Sequence, residues 1–355
     1  MPASEPLPTP ERLLGLIDEM AGQPVLMLVD LVADVFITGT PKRISREAPV
    51  LILSYQGERL APGGGANAVA NVAALDGRPL PLGVVGDDAH GGKLRAALAA
   101  LAVPTDGILV RPGYRTPTKI RILGGGPHQV KQQIVRYDIE DYLALSSGER
   151  ERFGEVLARW AGGPRVAILS DYGYGAVEPE LLGPVRACLA PAGVVVGDSR
   201  HRLAGFSGLD GATPNEEETE ALLGWGLRDD PALIERAGRC LLERLAVRFL
   251  LITRGSRGMS LFLAAGSAGA LISAHLPVSG TDQVADVTGA GDTVIGTFAL
   301  GLAAGASPLE AALLANYAGG VVVMKTGTAT LSRDELRRAV RGDLRPLEEL
   351  RWAKS

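Results

Sequence analysis

The sequence predicts an α/β fold: a doubly wound, mostly parallel sheet flanked by helices, with a small β-sheet lid. Three observations lead there. Short, continuous apolar runs recur along the chain, helix-length segments separate them, and two early stretches break the rhythm with alternating polar and apolar residues. Continuous apolar strands need cover on both faces, which helices between parallel strands supply. Alternation instead marks strands with one wet face.

Taken in chain order, residues 11–20 form an amphipathic helix with apolar Leu13, Leu14, Ile17 and Met20. Strands are predicted at 25–29, 80–85, 166–169, 194–197 and 249–253, and helices at 66–75, 91–101, 150–160, 178–190 and 231–245. Another helix, rich in small residues, is expected over 294–304. The alternating stretches are residues 34–55 and 117–137, as in Thr118-Lys-Ile-Arg-Ile122 and Gln133-Ile-Val-Arg-Tyr137, expected to project from the main sheet. The resulting organisation is an N-terminal extension with its helix (1–22), a main domain (23–342) with lid segments at about 34–60 and 107–138, and a C-terminal tail (343–355). No internal repeat is present.

The 355 residues are 46% hydrophobic and 21% charged, an ordinary globular composition. With 36 basic against 40 acidic residues, nothing marks a nucleic-acid or membrane-surface partner, so a small-molecule partner is expected. The N-terminus lacks the basic patch and apolar stretch of a secretory signal, and the expected location is the cytoplasm. Cys188 and Cys240 sit at helical apolar spacing and read as reduced thiols. His90, His128, His201 and His275 lie far apart, so no zinc site is expected.

The sharpest motif is Asp286-Val-Thr-Gly-Ala-Gly-Asp292. Gly289, Ala290 and Gly291 lead into a helix, where backbone N–H groups lack intrahelical partners and the dipole favours an anion. A carboxylate at Asp292 is repelled by such an anion unless it has a task. In phosphoryl transfer that task is to accept the proton of the attacking hydroxyl. The motif alone also fits an Asp292 that only caps a helix. Asn215 and Glu218, in Thr213-Pro-Asn-Glu-Glu-Glu218, either orient water around Mg²⁺ from one helical face or cap a helix. Thr253-Arg-Gly-Ser-Arg-Gly258 follows an apolar strand, and its glycines either admit a nucleotide or make a plain turn. Gly86-Asp-Asp-Ala-His-Gly-Gly-Lys93 has the wrong spacing for a P-loop and is followed by Leu94.

At the other end, Pro62-Gly-Gly-Gly-Ala-Asn67 opens a helical pattern. Gly63 and Gly64 allow close approach and Asn67 offers donor and acceptor to sugar hydroxyls, though a plain helix N-terminus fits equally. Asp30 and Asp34 follow the first strand, at the carboxyl end where open α/β sheets bind ligands. Lys119 and Arg121 share one strand face; with Arg136 on the next strand they either grip a phosphate or form a solvated lid surface.

The order Asn-x-x-Glu, Thr-Arg-Gly-x-x-Gly, Asp-x-x-Gly-Ala-Gly-Asp resembles the ATP half of the PfkB, or ribokinase-like, carbohydrate kinases, over about residues 25–340. The resemblance implies ATP and Mg²⁺, with Asp292 as general base and Gly289, Ala290 and Gly291 as anion hole. It places Asn215 and Glu218 near Mg²⁺, and Thr253, Arg254, Gly255, Gly258 and Asn316 near the nucleotide. It also suggests a monovalent cation, K⁺, near Asp286 and Thr288. More narrowly, Arg43-Ile-Ser-Arg-Glu-Ala-Pro-Val50, Thr118-Lys-Ile-Arg121, Gln132-Gln-Ile-Val-Arg-Tyr-Asp138, Ser170-Asp-Tyr172 and Lys325-Thr-Gly-Thr328 resemble the heptose 7-phosphate kinase branch. That branch phosphorylates the anomeric hydroxyl of a sugar already phosphorylated at its far end. The resemblance implies Asp30, Asp34, Gly63, Gly64, Asn67, Lys119, Arg121, Arg136 and Asp138 on the substrate side. The expected partner is a sugar or sugar phosphate, with room for a homodimer through the lid. A kinase for another sugar, phosphosugar or nucleoside, and a non-catalytic sugar binder, are the alternatives. Val29, Val35, Phe36, Tyr174 and Arg200 depart from the branch's pattern, all on the substrate side, and the loop 124–128 looks inserted. After Lys325 only about thirty residues remain, fewer than a nucleotidyl-transfer domain needs, so the chain is expected to act as a kinase alone.

Overall fold

The computed structural model describes residues 7–126, 131–228, 230–265, 270–280 and 285–354; Pro127 and His128 of the inserted loop lie outside them. In β1 (Pro24–Val29) every residue after the first is buried. Val25, Met27 and Val29 point into one core and Leu26 and Leu28 into another, which is the double cover that a continuous apolar strand demands. Helices Gly65–Ala74, Ala290–Ala303 and Pro308–Val322 pack on the first face, and Ser147–Trp160, Leu182–Cys188 and Pro231–Leu245 on the second.

Only Asp30 separates β1 from β2 (Leu31–Ile44), which leaves the main sheet and pairs antiparallel with β3 (Leu51–Gly64). The chain then returns through β4 (Arg78–Gly86) and the edge strand β5 (Ile108–Arg111), and goes out again as β6 (Thr118–Gly124) and β7 (Gln132–Ile139). The second excursion completes a four-stranded lid in the order β3-β2-β6-β7, with β2 parallel to β6. The lid segment expected from residue 107 therefore begins later, because residues 108–111 pair with β4 in the main sheet.

The remaining strands are β8 (Val166–Asp171), β9 (Val194–Ser199), β10 (Gly211–Ala212), β11 (Phe249–Thr253), β12 (Met259–Ala265), β13 (Ala270–Leu276) and β14 (Arg351–Lys354). The ten-stranded sheet runs β14-β13-β12-β11-β10-β9-β8-β1-β4-β5. It is parallel from β5 to β11 and antiparallel from there to β14. The expected C-terminal tail is thus partly an edge strand. Its backbone hydrogen bonds close β13, whose edge is otherwise open. The N-terminal extension is anchored as well: Thr9 caps helix Pro10–Glu19, which buries Leu13, Leu16 and Ile17. No helix among the described residues is long and apolar enough to cross a membrane.

Candidate active site

The carboxyl ends of β1, β8, β9 and β11 converge with the N-terminus of helix Ala290–Ala303. Gly289 caps that helix at φ +79°, a conformation that favours glycine, and no side chain fills the cap. The Ala290 amide, expected in the anion hole, instead donates to Val287 O at 3.2 Å and closes the turn. Among the described residues the amides of Gly291 and Asp292 have no partner and remain for an anion. Asp292, 3% exposed, accepts from Tyr172 Oη at 2.7 Å on one oxygen and from Asn67 Nδ2 at 3.2 Å on the other. Burial pushes its pKa up to about 7, with the charge of Asp34 adding to the rise and the bonds from Tyr172 and Asn67 opposing it. A base poised near neutrality can take a proton from a sugar hydroxyl.

Asn67 has less freedom than its expected role as a sugar ligand requires. Its Nδ2 donates to Gly289 O and Asp292, and its Oδ1 accepts from Asn71 Nδ2 at 3.2 Å. It ties two helices together and holds the base. Asp30, also expected on the sugar, has both oxygens engaged inside the protein, accepting from the amides of Tyr172, Tyr174 and Ala176 at 2.9, 3.0 and 3.0 Å. It pins the loop that carries Tyr172 to the end of β1. Gly63 passes so close to Asp34 that a Cβ there would lie 2.6 Å from Asp34 Oδ2.

Beside Asp292 is a polar cavity lined by Tyr172, Asp198, Arg200, Asn215 and Glu218. Asn215 caps helix Glu216–Leu223, and Glu218 returns a bond to the Asn215 amide, so the capping reading holds in the structure. Burial nonetheless raises the pKa of both Asp198 and Glu218; at Asp198 the charge of Glu218 adds to the rise, while at Glu218 the Asn215 amide, Arg200 and His201 oppose it. Two mutually repelling carboxylates beside an anion site suit a divalent cation. Among the described residues no group of three or more His, Cys, Asp or Glu converges. An all-oxygen set that small fits Mg²⁺, which keeps waters and shares phosphate oxygens. Asp198 and Tyr172 were missed as site residues, although both lie at the carboxyl ends of buried strands.

Next to the polar cavity, and sharing Thr253, Val287 and Gly291 with it, is an apolar one lined also by Gly255, Gly258, Val278 and Asn316. It has the character of a purine slot. Of the residues expected there, Arg254 is turned to Glu216 at 3.1 Å, and the Asn316 amide donates to Pro277 O at 2.7 Å. Asp286 accepts from the amides of Thr288 and Gly327, each at 2.9 Å; burial raises its pKa, but these bonds win and hold it below the usual carboxylate range. The Thr328 hydroxyl nearby is buried with no partner among the described residues.

On the lid, the register sets Asp34, Lys119 and Asp138 in one row and Phe36, Arg121 and Arg136 in the next. Lys119 Nζ is 5.4 Å from the ring centroid of Tyr172, and burial lowers its pKa, aided by Arg200 and opposed by Asp34 and Asp292. The structure thus places Lys119 beside Tyr172 and within electrostatic reach of Asp292. Arg121 forms a buried pair with Asp34 at 2.6 Å, and Arg136 lies 3.0 Å from Asp138.

The Tyr172 bond makes a testable case. In Tyr172→Phe the ionised base loses one charge-assisted donor, so the acid limb of kcat/KM should move up by about one to two pH units, with activity lost at neutrality returning in alkali. A pH profile that does not move removes Tyr172 from the tuning of the base.

Comparison with known proteins gives a consistent picture. The description "pfkB family carbohydrate kinase" matches residues 26–153 and 199–335. The chain is 37% identical over 337 residues to the bifunctional protein HldE of Mesorhizobium japonicum, covering 94% of this chain and 65% of that protein. It is also 37% identical over 317 residues to HldE of Pelobacter propionicus, covering 89% and 62%. The chain thus spans somewhat under two thirds of the length of these relatives. Among solved structures, Escherichia coli phosphofructokinase-2 in complex with substrates and products superposes with TM-score 0.70 at 18% identity, over 90% of this chain and 99% of that one. Arabidopsis thaliana ribokinase with ribose and ATP gives 0.70 at 20% identity, over the same shares. Both likenesses concern the fold.

Proposed function

The chain belongs to the pfkB family of carbohydrate kinases, and from that membership we propose that it works in the cytoplasm, transferring the γ-phosphoryl group of ATP to the anomeric hydroxyl of a heptose 7-phosphate. One observation carries the reaction class: a buried carboxylate, Asp292, whose pKa burial pushes up to about 7, and whose own amide and that of Gly291 have no partner among the described residues. In-line transfer asks for that pairing of a base with an anion cradle.

In this reading the sugar lies under the lid, with its reacting hydroxyl against the Asp292 carboxylate. Asp292 accepts the proton as the oxygen attacks. The Gly291 and Asp292 amides and Lys119 meet the charge on the transferring group, in a site where burial strengthens each contact. Asp198 and Glu218, with Asn215 orienting Glu218, would hold Mg²⁺, which when bound would neutralise phosphate charge. The adenine fills the slot beside Gly258 and Asn316. Asp286 and Thr288, with the Thr328 hydroxyl that has no partner among the described residues, make a fitting seat for K⁺ at the back of the Gly289 turn. The phosphosugar part of the proposal is supported by the similarity to the HldE proteins. Val135 and Tyr137, on the face opposite Arg136, expose 47% and 49% of their surface, which favours a second copy meeting the lid there.

The test is ADP release across heptose 7-phosphate, other sugar phosphates and free sugars, with the product's phosphate located by ³¹P NMR. Anomeric phosphorylation of the heptose phosphate is expected. Turnover of free sugars alone, or phosphate at another carbon, overturns the assignment.

A further inference from the structure

The clamp that Lys119, Arg121 and Arg136 suggest has little free charge for a remote phosphate. Arg121 is neutralised by buried Asp34, Arg136 by Asp138, and Lys119 lies against Tyr172 beside the base. Yet the row that holds Arg121 and Arg136 extends further. On β3, Arg59 stands opposite Phe36, which stands opposite Arg121. The guanidinium carbons of Arg59 and Arg121 lie 4.8 and 5.4 Å from the Phe36 ring centroid, flanking one ring. Arg59 is exposed, and among the described residues no carboxylate pairs with it. Its head reaches the Gly327 loop, where a Cβ on Gly327 would lie 3.3 Å from Arg59 Nη2.

We propose that Arg59, held by Phe36 and backed by Arg121, binds the phosphate monoester at the end of the sugar remote from the hydroxyl that Asp292 activates. Arg59, and not Lys119 or Arg136, then decides for a phosphosugar over its free counterpart. The proposal rests on the phosphosugar reading above.

Three physical points support it. A guanidinium lacking a carboxylate presents a planar fork that matches two phosphate oxygens, whereas a paired one has already used that fork. Contact with an aromatic ring preorganises the side chain, so less rotamer freedom is lost on binding. Lys119 on β6 and Arg59 on β3 flank β2 and are one pleat repeat, about 7 Å, apart along it, so a sugar laid obliquely across β2 has its two ends near these two cations, neither of which pairs with a carboxylate among the described residues.

The experiment measures kcat and KM for heptose 7-phosphate, for the unphosphorylated heptose and for ATP, in the wild type, Arg59→Gln, Arg59→Lys and Arg136→Gln. Arg59→Gln should lose about ten- to a hundredfold in kcat/KM on heptose 7-phosphate, chiefly through KM, while its values for free heptose and ATP stay within about threefold. Arg59→Lys should recover part of the loss, and Arg136→Gln should stay within about threefold of wild type on both sugars. An equal loss on both sugars, or none on the phosphosugar, overturns the role of Arg59 and leaves the phosphosugar reading standing. A wild type that uses free heptose as well as heptose 7-phosphate overturns both.

Discussion

Replacing Asp292 by Asn is expected to cut kcat by about a hundredfold or more, the usual scale for a lost general base, while the affinity for an ATP analogue stays near wild type. The two effects separate because Asp292 lines the polar cavity and not the apolar one. The wild type should show its own signature. Only the ionised carboxylate can take a proton, and burial, with Asp34 behind it, pushes the Asp292 pKa up to about 7. The value of kcat/KM should therefore rise with pH through about 7 with unit slope on the acid side and level off above it. The residual rate of the Asn variant should lack that limb. If Asp292→Asn keeps both its turnover and the limb, another group is the base.

The second large effect is structural. Asp30→Ala leaves three amides, those of Tyr172, Tyr174 and Ala176, without the carboxylate they donate to, at a site 1% exposed. Each stranded buried donor costs about 1–3 kcal/mol, so a loss of about 3 kcal/mol or more is expected. That is a large share of a typical stability of about 5–15 kcal/mol. Urea unfolding at neutral pH measures it: the midpoint should fall while the slope stays constant. A midpoint within error of wild type means that water replaces the carboxylate and that the loop does not depend on Asp30.

Much of the architecture was legible in the chain. Phe249–Thr253 and Pro231–Leu245 fall on the residues predicted, because an uninterrupted apolar run and a regular helical spacing leave little choice. The lid was legible for a related reason: Thr118-Lys-Ile-Arg-Ile122 alternates, and alternation requires one wet face. What stayed hidden depended on pairings distant in sequence. Arg121 and Asp34 are 87 residues apart, and nothing local says that one will neutralise the other. Asn67 meets Asp292 across 225 residues, so an amide that looked free for a sugar is already engaged. Asp198 reads locally as the polar end of an apolar strand, and only the fold sets it opposite Glu218. The tail is a further case: four residues, Arg351–Lys354, are too short to show a strand pattern, yet they pair with β13 and Trp352 packs against the first core.

The lid grows out of the main sheet with no linker, since β1 becomes β2 across Asp30 alone, and its other half enters separately as β6 and β7. Within the lid sheet the two halves join where β2 pairs with β6 in parallel, so neither half is a finished unit. Specificity in this scaffold is therefore not a cassette. Grafting a lid from one kinase to another means exchanging two separated stretches of chain together, each rooted in the buried sheet. Changes of substrate are more readily reached by single replacements on the strand face, such as those at Arg59 and Phe36, than by trading the lid as a piece.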